Sequence, residues 1–141
     1  MKTGQLKKVM VAVDGSKNSS RAGKLAVNLA KKTGSHLIVV SVIPTPPYAI
    51  SGSRYFTTER KKTERWIGQI LNLARSGHVK VSMQILLDVS VVKSLLDYAA
   101  SKNVDLIVVG TRGLGTFKRL AIGSVSSALV NHSPCSVLVV R

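Results

Sequence analysis

Short runs of apolar, β-branched residues alternate along this chain with longer stretches whose apolar positions recur every three or four residues. The first pattern predicts strands and the second predicts amphipathic helices. Lys8 to Val13 (KVMVAV) reads as a first strand, ending at Asp14-Gly15-Ser16, a turn signal that also offers helix-capping oxygens. A helix from about Ser19 to Lys32 follows, with Ala22, Leu25, Ala26, Leu29 and Ala30 at the spacing of one buried face. Lysines crowd its last turn and Gly34 stops it. His36 to Val42 (HLIVVSV) is a second, nearly all-apolar strand. Pro44, Pro46 and Pro47 forbid regular structure, which predicts a loop through Ser53. The spacing of Trp66, Ile70 and Ala74, with Ile67 and Leu71 beside them, predicts a helix from Thr57 to Ser76, closed by Gly77.

Val79 to Leu86 alternates more clearly, with Val79, Val81, Met83 and Ile85 on one side, and so belongs at a sheet edge. Asp88 or Ser90 then caps a third helix to about Ser101, which buries Val91 or Val92, Leu95, Leu96 and Ala99. Val104 to Val109 is a fourth strand, Ser124 to about Asn131 a fourth helix, and Ser136 to Val140 (SVLVV) a fifth strand. Near-continuous apolar strands alternating with helices predict a doubly wound parallel sheet covered on both faces. In such a sheet ligands sit beyond the carboxyl ends of the strands where strand order reverses. Two strand ends qualify: Val13-Asp14-Gly15 and Gly110-Thr111-Arg112-Gly113.

The 141 residues fit one domain, 1–141, large enough to bury roughly two-thirds of its unfolded surface without a disulfide staple. Cys135 is the single cysteine and has no internal partner to bridge, which suits a reducing cytoplasm. Apolar runs fall short of the ~18 residues a bilayer demands, and the opening MKTGQLKK is too polar for a signal peptide. These features predict a cytoplasmic protein with no membrane partner. Charge is lopsided, with 21 Lys and Arg against 6 Asp and Glu. The basic residues are scattered from Lys2 to Arg141, densest at Lys7-Lys8, Lys31-Lys32, Arg60-Lys61-Lys62 and Lys118-Arg119. Either a solvated surface or a polyanion-binding role accounts for them.

The stretch Val104 to Ser127 (VDLIVVGTRGLGTFKRLAIGSVSS) carries the clearest chemistry. A buried strand, a glycine-rich turn and a helix start in that order make an anion-binding device, because glycines admit close backbone approach and the helix end supplies unsatisfied N–H donors. It is not a Walker A loop: Gly110 and Gly115 have the right separation, but Thr116 stands where the lysine must be. Nor is it a dinucleotide turn, since the first strand runs into Asp14-Gly15-Ser16 rather than G-x-G-x-x-G. Backbone N–H groups from Gly123 onward and the Ser124 and Ser126 hydroxyls can donate to phosphate oxygens, and Arg112 can add a fork of donors.

What does fit is G-x2-G-x9-G-[ST], met by Gly110, Gly113, Gly123 and Ser124. With VAVDGS after the first strand and PCSVLVV at the end, the chain resembles the universal stress protein family over almost its whole length. That resemblance implies a three-layer α/β/α fold with a five-stranded parallel sheet of order 3-2-1-4-5, adenine nucleotide alpha-hydrolase-like and Rossmann-like. It implies ATP as ligand and a homodimer paired through the last strand, Ser136 to Arg141; Asp14 and the loop could hold Mg²⁺ through the phosphates. Val13 and Asp14 match the end of strand one, where the acidic residue faces the ribose and adenine, and Val42 matches a position near the base. Gly110, Thr111, Arg112 and Gly113 match the turn under ribose and phosphates. Gly123, Ser124, Val125 and Ser126 match the helix start that holds the phosphates. The family's Gly-Asp-Pro-like turn after strand three is replaced here by Leu87-Asp88-Val89-Ser90.

His36, His78 and His132 share no metal-ligand spacing, Cys135 reads as a packing residue, Trp66 as core, and Arg60 to Arg65 as a wet helix face. No Ser/His/Asp arrangement or carboxylate pair marks an enzyme, so any ATP hydrolysis is expected to be slow. Two other readings stand beside the ATP-binding regulator. One is a basic nucleic-acid-binding protein, supported by the charge but not by the 4% aromatic content. The other is a dimeric interaction module with a vestigial nucleotide site.

Overall fold

Strand β1 (Lys8–Ala12) is flanked by β2 (His36–Pro44) on one side and β4 (Leu106–Gly110) on the other, both parallel to it. Strand β3 (Val81–Asp88) adds to β2 and β5 (Ser136–Val140) to β4, giving a five-stranded parallel sheet of order β3-β2-β1-β4-β5. The computed structural model describes residues 5–49, 53–111 and 122–141. Four helices connect the strands: α1 (Lys17–Thr33), α2 (Arg54–Ser76), α3 (Val91–Ser101) and α4 (Ser124–His132).

The pleat sorts the strand residues between two cores. Val9, Val11, Val39 and Val108 join Ala22 and Ala26 of α1 and Ile67 and Ile70 of α2 on one face. Met10, Val40, Ile107 and Val109 join Leu95 and Ala99 of α3 and Leu129 of α4 on the other. Val9, Val11, Val39 and Ile107 are fully buried, and each such aliphatic side chain contributes about 1.5–3 kcal/mol relative to leaving it in water. The result is the expected three-layer α/β/α arrangement.

Helix ends follow local chemistry. Ser16 caps α1, its hydroxyl accepting from the Ser19 amide at 3.2 Å, and Gly34 ends the helix in the left-handed region at φ 71°. Ser90, rather than Asp88, caps α3 through the Lys93 amide, while the Asp88 carboxylate accepts from the Ser90 amide at 3.1 Å. Of the two valines at the start of α3, Val91 packs against the core.

Several expectations need correction. Leu25 is 40% exposed, and the buried face of α1 is made by Ser19, Ala22, Gly23, Ala26, Val27 and Ala30. Small residues occupy it because α2 comes in close: a Cβ on Gly23 would lie 2.3 Å from Ile70 Cδ1. Strand β2 does not stop at Val42 but runs to Pro44, in register with Asp88. Proline is tolerated as the last strand residue because the Thr45 amide is the one that faces β3, donating to the Asp88 carbonyl at 2.8 Å, while the Pro44 nitrogen faces the side where β1 has already ended. Helices α1 and α2 begin two and three residues earlier than the periodicity suggested. At the end of α2 the left-handed residue is His78, φ 57°, rather than Gly77. Met83 on β3 is 39% exposed, as befits the edge position.

Candidate functional site

Strand order reverses between β1 and β4, so their carboxyl ends lie side by side at the point where a doubly wound sheet opens a crevice. Helices α1 and α4 begin at this same edge. The site is built from these two strand ends and two helix starts.

The β1 end is held from below. Val13 is buried, its amide donates to the Val40 carbonyl at 2.9 Å, and its carbonyl accepts from the Ser41 hydroxyl at 2.7 Å. Ser41 Oγ in turn accepts from the Trp66 indole N–H at 3.3 Å. Asp14 is half-buried; its amide donates to Ser19 Oγ at 3.2 Å and its Oδ1 accepts from the Ser16 amide at 3.0 Å. That last bond closes an Asx turn and leaves Oδ2 directed by the same rigid backbone. Gly15 completes the turn at φ 87°, with the Trp66 ring so close that a Cβ there would sit 2.5 Å from Cε3. Trp66 is thus a half-buried brace under the β1–α1 turn, not a core residue alone.

The β4 end is held by Thr111, which is 5% exposed. Its amide donates to the Val140 carbonyl of β5 at 2.8 Å, and its Oγ1 accepts from Asn18 Nδ2 of α1 at 3.0 Å. Its carbonyl accepts from the Gly123 amide and from the Ser126 hydroxyl, the latter at 2.9 Å. One residue therefore ties β4 to β5, to α1 and to α4. Gly110, just before it, must be glycine: a Cβ would meet the Asn18 carbonyl carbon at 2.8 Å.

Helix α4 starts at the N-cap Gly123, which has extended backbone (φ −77°, ψ 173°) and no side chain to cap the helix. The Gly123 amide is engaged by Thr111, so the donors offered by this helix end are the amides of Ser124, Val125 and Ser126, which have no acceptor within the helix. Ser124 is exposed and Val125 half-buried against the α3–α4 core. The Ser126 hydroxyl is turned inward, 2% exposed, and shared between the Thr111 and Gly123 carbonyls. Val42 lies half-buried on the same sheet face as α3.

Of the sequence-predicted positions, Val13, Asp14, Gly110, Thr111, Gly123, Ser124, Val125 and Ser126 gather at this one end of the sheet, with Val42 on the neighbouring strand. Arg112 and Gly113 lie outside the described residues. Sequence reasoning missed Asn18, Ser19, Ser41 and Trp66. The first two follow a capping serine in NSS, a visible polar cluster, whereas Ser41 is hidden inside an apolar strand. Among the described residues no group of three or more His, Cys, Asp or Glu is placed to hold a metal ion, and no helix is long and apolar enough to cross a membrane.

The family model of the Universal stress protein family matches residues 5–141. A putative universal stress protein of Staphylococcus aureus (strain USA300) is 36% identical over 141 aligned residues, covering 96% of this chain and 84% of its own length. Universal stress protein UspA from Lactobacillus plantarum superposes with a TM-score of 0.90 at 25% identity, covering 99% of this chain and all of its own. A universal stress protein solved in complex with cAMP (TM-score 0.74, 23% identity, 98% of each chain) shares the fold. So does one from Arabidopsis thaliana with AMP bound (TM-score 0.72, 21% identity, 95% of this chain and 90% of the other). Sequence and architecture agree, and this chain belongs to the universal stress protein family.

Proposed function

We propose that this protein is a nucleotide-binding regulator that holds ATP across the carboxyl ends of β1 and β4. One observation carries the reading: the Asp14 turn and the uncapped start of α4 flank the same switch point, joined through Asn18 and Thr111. Adenine nucleotides in structures of the same fold give the ligand class.

In this reading the phosphates sit on the Ser124, Val125 and Ser126 amides at the positive end of the α4 dipole. The Ser124 hydroxyl adds a donor, while that of Ser126 shapes the cradle from behind. Arg112 and Gly113 complete the glycine spacing, and the Arg112 guanidinium supplies a fork of donors for phosphate oxygens. Asp14 Oδ2 accepts from the ribose hydroxyls, and Val13 and Val42 line the base. Mg²⁺, where present, is carried by the phosphates. All 141 residues act as a single cytoplasmic domain.

The residues assigned to the site hold rather than activate, so hydrolysis is slow; a turnover near ~10 s⁻¹, the enzyme median, would contradict this. The protein pairs as a homodimer along β5, the edge strand opposite β3. Sedimentation at the monomer mass would refute the dimer alone. The nucleotide reading is tested by thermal denaturation with ATP. Ligand at about 100 times its dissociation constant stabilises by about 2.7 kcal/mol, and Asp14→Ala should shrink that shift. A melting curve indifferent to millimolar ATP would end the proposal.

A further inference from the structure

The basic residues that look scattered in sequence are gathered by the fold. Helix α1 carries Lys17, Arg21, Lys24, Lys31 and Lys32 without an acidic residue. Helix α2 carries Arg54, Arg60, Lys61, Lys62, Arg65 and Arg75 against Glu59 and Glu64. These two helices, which pack on the same sheet face, therefore hold eleven of the chain's 21 lysines and arginines, all exposed. The opposite layer is different. In α3 and α4 the charged residues are Lys93 and Asp97, which neutralise one another in a 2.7 Å ion pair.

Helical spacing sharpens the pattern. Lys17, Arg21, Lys24 and Lys31 lie on the side of α1 turned away from buried Ala22, Ala26 and Ala30. Arg54, Lys61 and Arg65 lie opposite buried Ile67, Ile70 and Ala74 on α2. Because Ile70 presses onto Gly23, the two helices run in close contact, with axes about 8–10 Å apart where they touch. The 23 residues of α2 span about 35 Å, close to one turn of a nucleic-acid duplex.

We propose that the outer face of α1 and α2 docks the phosphate backbone of double-helical nucleic acid without reading its sequence. Charge complementarity selects a polyanion, and what the stripes lack selects its kind. Single-strand binders stack bases on aromatic side chains, but the aromatics of α2 are withdrawn: Trp66 lies against Gly15, and Tyr55 and Phe56 are half-buried edge to face. Membrane-surface helices sink a broad apolar face into the headgroups. Here the large exposed apolar residues of the two helices are Leu25 and Leu73, one on each helix and both beside the stripes. Two neighbouring rows of cations with no apolar wedge match a duplex whose phosphates are contacted from outside. Lys24, Lys31, Lys61 and Arg65 of this surface are not among the residues assigned to the nucleotide site, so either reading can fail alone.

The full-length protein is titrated into labelled duplexes of about 30 base pairs and two unrelated sequences, by fluorescence anisotropy between about 50 and 300 mM salt. Both duplexes should bind alike, with log K falling against log[salt] at a slope of about −4 or steeper, roughly 0.9 per phosphate contacted. The variant K24Q/K31Q/K61Q/R65Q should weaken binding at least tenfold and flatten the slope by about 3.6 units if all four contact phosphates. The charge-keeping variant K24R/K31R/K61R/R65K should bind as the unaltered protein does, which separates charge from folding. Lys93→Gln, on the neutral layer, should change little. The proposal is overturned if the glutamine variant binds as tightly as the parent, or if Lys93→Gln weakens binding equally. It is likewise overturned if duplex is ignored while phosphatidylserine vesicles bring the protein down.

Discussion

The hydroxyl of Ser126 donates to the carbonyl of Thr111 at 2.9 Å, pinning the first turn of α4 to the end of β4. Together with the Gly123 amide on the same carbonyl, it ties the start of α4 to the residue that follows β4. Ser126→Ala removes one neutral hydrogen bond and should cost about 1 kcal/mol. The larger effect is predicted on ATP, whose affinity should fall several-fold as the helix start loses its anchor. Denaturant melts and ATP titrations of the same variant separate the two effects.

Gly110 and Gly68 should respond to alanine with opposite signs. A Cβ at Gly110 would press on Asn18 backbone at 2.8 Å, where neither α1 nor β4 can yield cheaply. Gly110→Ala is expected to destabilise by about 1–3 kcal/mol. At Gly68, inside α2, nothing lies within 4 Å of the added methyl. Gly68→Ala should stabilise by about 0.5–1 kcal/mol through helix propensity alone. Urea denaturation of the pair reads both.

Trp66 reports on the Asp14 turn because its ring covers Gly15 and its N–H reaches Ser41. It is the chain's one tryptophan. ATP binding should therefore change its emission, and Trp66→Leu should weaken ATP binding by loosening the turn. An emission spectrum unchanged through a saturating titration would disconnect the brace from the ligand.

Asp105 links the starts of β4 and β1. Its Oδ2 accepts from the Lys7 and Lys8 amides at 2.8 and 3.0 Å. Desolvation pushes its pKa up, but these two backbone donors and nearby positive charge outweigh it and hold the carboxyl below its ordinary value of 3.8. The depressed pKa makes this a contribution to stability that is complete above the unfolded-state value and disappears as pH falls through the folded one. Asp105→Ala should thus cost more stability at pH 7 than in acid below the folded-state pKa, so the gap between the two proteins should narrow as pH falls.

The sheet was legible because its strands are buried on both sides and so read as unbroken apolar runs, as in Leu37 to Val40. Leu25 misled for the converse reason: size suggested burial, yet close packing against α2 favours Gly23 and alanine. The glycine spacing located Gly110, Gly123 and Ser124, since backbone chemistry at a strand end leaves a mark in residue type. Asn18 left only a polar cluster, and Ser41 and Trp66 left none, because their partners Thr111, Val13 and Gly15 are brought to them only by the crossovers. The basic face was hidden likewise. Sequence order does not say which helices share a layer.

Isothermal calorimetry of ATP into the folded, nucleotide-free protein tests the central claim most directly. A saturable heat with one nucleotide per chain, reduced in Asp14→Ala, is the result predicted for a switch-point site. No heat at millimolar ATP from a protein that melts cooperatively would contradict it.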